Sequence, residues 1–130
     1  MNVLDATFLI DYLNGVDASA EYLLANEDEQ FVVPLPAYAE VLTGEGNRPD
    51  GDVSEVKSGL AWAEVYVPDE ETATLAGEIA AEIGPEGPYL GGMDALIAAV
   101  GREVNGDVVS SDSDLTHPET AAVVDVETYR

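Results

Sequence analysis

The hydrophobic positions of this chain alternate between short unbroken runs and helical spacing. The runs at residues 2–5 (NVLD), 31–34 (FVVP), 63–68 (AEVYVP), 107–112 (DVVSSD) and 121–126 (AAVVDV) predict five strands. Between them the spacing predicts helices. Residues 7–14 form a short one ended near Asn14-Gly15, and residues 17–27 a second with Tyr22, Leu23 and Leu24 on its apolar side. Residues 36–44 carry Pro36 in a first turn and Gly44 at the end. Residues 54–62 carry Val56, Leu60 and Trp62. Over 69–83, Leu75, Ile79 and Ile83 recur at spacing four while Glu78 and Glu82 fall off that row. Residues 93–104 (MDALIAAVGREV) predict a small-residue helix that packs closely in a core. Turn formers at 45–54 (EGNRPDGDVS) and 84–92 (GPEGPYLGG) predict exposed loops.

Strands alternating with helices predict an α/β fold with a parallel sheet covered on both faces. No repeat or linker divides the chain, so a single domain over 1–130 is expected, long enough for a real core. In such sheets ligands bind beyond the carboxyl ends of the strands. Asp5 and Asp112 each close a predicted strand at that end.

Composition changes how these acids are read. A hydrophobic content of 46% excludes a disordered acidic tail. No apolar run approaches the ~18 residues of a membrane span. The N-terminus has no basic leader, so no signal peptide is expected. The absence of cysteine excludes disulfides and thiolate metal sites and fits a cytoplasmic protein. Asp and Glu number 27 against 4 Lys and Arg, a net charge of −23. Such a surface repels itself unless salt screens it, and at molar salt the Debye length falls to ~3 Å. The pattern points to a high-salt cytoplasm, that of a halophilic archaeon; the alternative is an acidic protein that mimics nucleic acid or binds a basic partner. Most carboxylates here therefore carry no site information.

Four acids nevertheless lie among apolar or small residues: Asp5 after Val3-Leu4, Glu40 within PAYAEVLTG, Asp94 before ALIAAV, and Asp112 after VVSS. Each has an ordinary explanation. Asp5 and Asp94 suit helix N-termini, Glu40 a solvated helix face, and Asp112 a turn, where it is not distinguishable from Asp114. Together beside core segments they are costly, because burial and mutual repulsion both disfavour ionisation. A divalent cation resolves both, and Mg²⁺ or Mn²⁺ prefers such oxygen ligands. Asp11, six residues after Asp5, reads as a surface acid of its helix. His117, in THPE, reads as a surface turn. There is no basic patch with aromatics and no phosphate-binding glycine loop.

The stretches VLDATFLIDYL, AEVLTG, GGMDALIAAV and VVSSDSDL, in that order, resemble the PIN-domain family, most closely its VapC-type toxins of toxin–antitoxin pairs. The resemblance covers essentially the whole chain. It implies a three-layer α/β/α sandwich with a central parallel sheet of about five strands. It also implies a Mg²⁺- or Mn²⁺-dependent ribonuclease. The family's acidic quartet maps to Asp5, Glu40, Asp94 and Asp112. Thr7 matches the supporting hydroxyl residue, and Asp114 a frequent extra acid. Ser110 stands where threonine is usual, Leu115 where phenylalanine is usual, and Ser111 where a basic residue is common. The implied partners are an RNA substrate, a small antitoxin protein and a second copy of the chain in a homodimer, with no membrane. Two other readings share the fold: a free-standing RNA-processing nuclease, and a non-catalytic binding module.

Overall fold

The computed structural model describes all residues, 1–130. Five strands form one sheet: β1 (Asn2–Leu4), β2 (Phe31–Pro34), β3 (Glu64–Tyr66), β4 (Val108–Ser110) and β5 (Val126–Thr128). Their spatial order is β3-β2-β1-β4-β5, and every pairing is parallel. The three central strands are apolar because both faces are covered: Val3, Leu4, Val32, Val33, Val108 and Val109 are all buried.

The helices are α1 (Ala6–Leu13), α2 (Asp17–Ala25), α3 (Leu35–Gly46), α4 (Val53–Gly59), α5 (Glu70–Ile83), α6 (Gly92–Glu103) and α7 (Pro118–Ala121). From β1 the chain steps outward to β2 and β3, then returns through α5 and α6 to β4 on the other side of β1. Right-handed crossovers in opposite directions put α1–α4 on one face and α5–α6 on the other, which gives the three-layer sandwich. The reversal lies between β1 and β4. A crevice opens there at the carboxyl edge, where parallel sheets place ligands.

The small residues of α6 serve close packing, as expected. Ala95, Ala98, Ala99 and Gly101 are buried. A Cβ added at Gly101 would lie 2.7 Å from a methyl of Val108, so the helix sits directly on β4. On α5 the buried row is Thr72, Ala76, Ile79 and Ile83, with Leu75 only partly buried. Its start is fixed by Asp69 and Thr72, which cap each other's backbone amides at 3.0 Å. No helix is long and apolar enough to cross a membrane.

Some expectations shift. The predicted strand at 121–126 is not one: Ala121 ends α7, Val124 seals the core from a turn, and β5 begins only at Val126. A short apolar run is buried in either state, so periodicity does not separate them. His117 caps α7, its Nδ1 accepting from the Glu119 amide at 3.0 Å. The 45–54 loop is partly helical. Helix α3 runs to Gly46 and Asp52 caps α4, while Glu45 accepts the Asp52 amide at 3.0 Å and ties the two ends. Trp62 falls beyond α4, and Leu24 faces solvent at 69% exposure.

Candidate functional site

Asp5 is the first residue after β1 and the N-cap of α1. Its backbone is extended, which turns the carboxylate back over the helix start. Oδ1 accepts from the Phe8 amide at 3.0 Å and from the Thr7 hydroxyl at 2.7 Å; Oδ2 accepts from the Ser110 hydroxyl. The residue is 2% exposed. Burial pushes its carboxyl above the ordinary range. The bonds from Ser110, Thr7 and Phe8 oppose that shift, and the charge of Asp112 adds to it. Asp5 is thus both a helix cap and a buried hub that ties α1 to the end of β4.

The other side of the crevice is the segment after β4. The Asp112 amide donates to the Ser110 hydroxyl at 2.9 Å, and the Ser111 amide donates to the Thr7 hydroxyl at 3.1 Å. Asp112 Oδ2 accepts from the Asp114 and Leu115 amides at 3.0 and 3.1 Å, folding the segment into a tight turn. Oδ1 takes no part in these bonds. Leu115, fully buried, anchors the turn below.

Asp94 completes the arrangement from the first turn of α6. The chain brings one carboxylate oxygen each from Asp94, Asp112 and Asp114 within 4.8 Å of one another. The Asp94 carboxyl is pushed up to about 6. Burial is the largest cause, followed by the charges of Asp112, Asp114, Asp5 and Glu40. Burial and the neighbouring acids raise it at a helix N-terminus, a place that by itself favours a carboxylate. Glu40, on α3, is exposed at the mouth. It lines a cleft of about 550 Å³ between α1, α3 and α4, together with Ile10, Leu13, Val41 and Val56.

The four acids singled out from the sequence thus occupy one region, in different roles. Asp94 and Asp112 cluster with Asp114, which was expected only as support. Asp5 lies behind them with both oxygens bonded to protein donors. Glu40 acts on the cluster from its rim. Three carboxylates with their charges unneutralised suit a hard divalent cation such as Mg²⁺ or Mn²⁺. The Thr7 and Ser110 hydroxyls both donate to the Asp5 carboxylate.

One reading is corrected. Asp11 is not a surface acid: it is 9% exposed, its Oδ2 accepts from the Tyr129 hydroxyl, and the same oxygen forms an ion pair with Arg130 Nε at 3.2 Å. The apolar context that marked the other four acids was present here too, in LIDYL. Tyr129 carried no signal in the sequence. It lies just beyond β5, packs edge-on against Phe8 at 4.8 Å between ring centres, and lies 3.3 Å from the Ser111 hydroxyl. Burial first, then the bond to Asp11, pushes its hydroxyl above the ordinary phenol range, so it stays a donor.

Comparisons with known proteins agree with this architecture. A toxin–antitoxin complex from Klebsiella pneumoniae contains a chain that superposes with a TM-score of 0.77 at 18% identity, over 100% of this chain and 98% of that one. FitAcB from Neisseria gonorrhoeae gives 0.81 at 19%, over 99% and 98%. VapC20 from Mycobacterium tuberculosis, described as a sarcin–ricin loop-cleaving toxin, gives 0.66 at 20%, over 95% and 96%. At these identities the likeness is one of fold. No curated protein sequence matches the chain significantly. The PIN domain family, however, matches residues 3–121, from the first strand through α7, and so takes in every acid of the site. With that match over nearly its whole length, the chain belongs to the PIN-domain family.

Proposed function

We propose that this chain is a Mg²⁺- or Mn²⁺-dependent endoribonuclease that acts as the toxin of a toxin–antitoxin pair. The observation that carries the reading is the convergence of Asp94, Asp112 and Asp114 within 4.8 Å, beside buried Asp5, at the switch point of a parallel sheet. The fold shared with VapC20 and with the chains of toxin–antitoxin complexes supports it.

Asp94, Asp112 and Asp114 would hold the cation, with Glu40 reaching in from the rim. When bound, a divalent ion supplies Lewis-acid stabilisation of phosphate oxygens and a more acidic water for hydrolysis. The remaining residues keep the donor set rigid. Asp5 fixes Ser110 and the start of α1, and Thr7 links Asp5 to the Ser111 amide. Rigid outer partners of this kind hold ligating carboxylates in place. The substrate would be single-stranded or looped RNA, whose backbone the acidic surface admits once salt screens both partners. The high-salt, cytoplasmic setting is part of the same proposal.

The cleft between α1, α3 and α4 supports an antitoxin partner. Ile10, Leu13, Val41 and Val56 line it, and Glu40, Glu45 and Glu55 outnumber the single Arg48 among its charged residues. An amphipathic segment with basic residues fits such a groove. A homodimer is part of the proposal on family grounds.

Purified protein in molar KCl with Mn²⁺ and a mixed RNA substrate tests the activity. Cleavage that disappears on chelation and in Asp5→Asn, Asp94→Asn and Asp112→Asn is expected. Equal cleavage by the wild type and the folded variants would refute the site. Metal binding without any cleavage would favour the non-catalytic module.

A further inference from the structure

We propose that Asp11 and Tyr129 form a positioning device that sets the orientation of Asp112 through Ser111; this rests on the metal-centre reading above. Asp112 ends a three-residue segment whose first two members are both tied to α1. Ser110 is tied through Asp5, its hydroxyl donating to Oδ2 while accepting the Asp112 amide. Ser111 is tied twice. Its amide donates to Thr7, and its hydroxyl meets Tyr129 at 3.3 Å.

The direction of the protons follows from the inventory of donors. A carboxylate only accepts, so the single phenolic proton of Tyr129 goes to Asp11. Ser111 must then donate its own hydroxyl proton to the Tyr129 oxygen. The chain Ser111 to Tyr129 to Asp11 is thereby polarised in one sense, and it runs parallel to the chain Ser111 amide to Thr7 to Asp5. Two carboxylates of one helical segment, Asp5 and Asp11, thus brace two consecutive serines immediately before Asp112.

The brace is built, not incidental. Asp11 is buried, and a buried carboxylate without partners is costly. In a chain with only 4 basic residues, one of them, Arg130, pairs with it at 3.2 Å. The Tyr129 ring is clamped against fully buried Phe8, which fixes where its hydroxyl points.

The test measures Mn²⁺ affinity of the full chain by electron paramagnetic resonance in molar KCl, alongside thermal unfolding of the metal-free protein. Tyr129→Phe keeps the ring and removes only the hydroxyl; Ser111→Ala removes the other half of the contact. Each should weaken Mn²⁺ binding about 10-fold, the low end for loss of an outer partner, with unfolding temperature little changed. The double variant should be no weaker than either single one. Affinity within about twofold of wild type in both folded variants would overturn the proposal, and so would losses that add in the double variant. If Tyr129→Phe fails to fold, Ser111→Ala decides alone. Wild type that binds Mn²⁺ but cleaves no RNA would sink the nuclease reading and leave this comparison decisive. Wild type that binds no Mn²⁺ would overturn both.

Discussion

Replacing Asp94 by asparagine should stabilise the metal-free protein at neutral pH and remove its stabilisation by divalent metal. The Asp94 carboxyl is pushed up to about 6, from an ordinary 3.8. That difference corresponds to about 3 kcal/mol of extra cost for ionising it in the folded state. The side chain is only half-buried, so solvent screening reduces the usable figure to about 1–2 kcal/mol. The sign follows from linkage. A carboxyl whose folded value is raised favours the folded state fully below the unfolded value, near 4, and loses that contribution as pH rises through about 6. At pH 7 the wild type carries the whole penalty, and Asp94→Asn does not. With a melting shift of ~4 °C per kcal/mol for a domain of this size, the variant should melt roughly 4–8 °C higher without metal. The gain should shrink as pH falls from 7 towards 4.5, where Asp94 takes up its proton. It should also shrink in molar KCl, which screens the neighbouring acids. Adding Mn²⁺ should raise the melting temperature of the wild type and leave the variant nearly unmoved. Differential scanning calorimetry with chelator, then with Mn²⁺, reads all four outcomes. A variant that melts at or below wild type at pH 7 without metal would refute the claim that burial, with the neighbouring acids, makes ionised Asp94 costly in the folded state.

Other expectations follow from the same geometry. Thr7→Val takes the acceptor from the Ser111 amide and a donor from Asp5, and should cost about 1–3 kcal/mol in denaturant unfolding. Gly101→Ala drives a methyl against Val108 and should cost about 1–3 kcal/mol by the same assay. Phe8→Ala removes a fully buried ring that packs on both Tyr22 and Tyr129, and should cost about 3–5 kcal/mol. The wild type, at net charge −23, should melt higher in molar KCl than in dilute buffer; an unchanged melting temperature would count against the high-salt reading.

The sequence by itself determined the alternation of strands and helices, the parallel sheet and the location of Asp5 and Asp112 at its carboxyl edge. Short apolar runs such as VLD and VVSSD set strand ends, and a carboxylate at a strand end has only one edge to occupy. The buried α6 was legible in its small residues for the same local reason. The ranking of the acids was not. Asp5 and Asp11 sit in near-identical apolar contexts six residues apart, and both are buried, yet each finds its partners in a different distant segment: Ser110 for one, Tyr129 and Arg130 for the other. Asp114 joined Asp94 and Asp112 only because the Asp112 carboxylate folds its own turn and swings the next acid inward. The late strand was misplaced because an apolar run is equally content in a buried turn. Local pattern reports which side chains must leave water. Which of them meet is decided by contacts far apart along the chain, and those form only when β4 pairs beside β1 in the folded sheet.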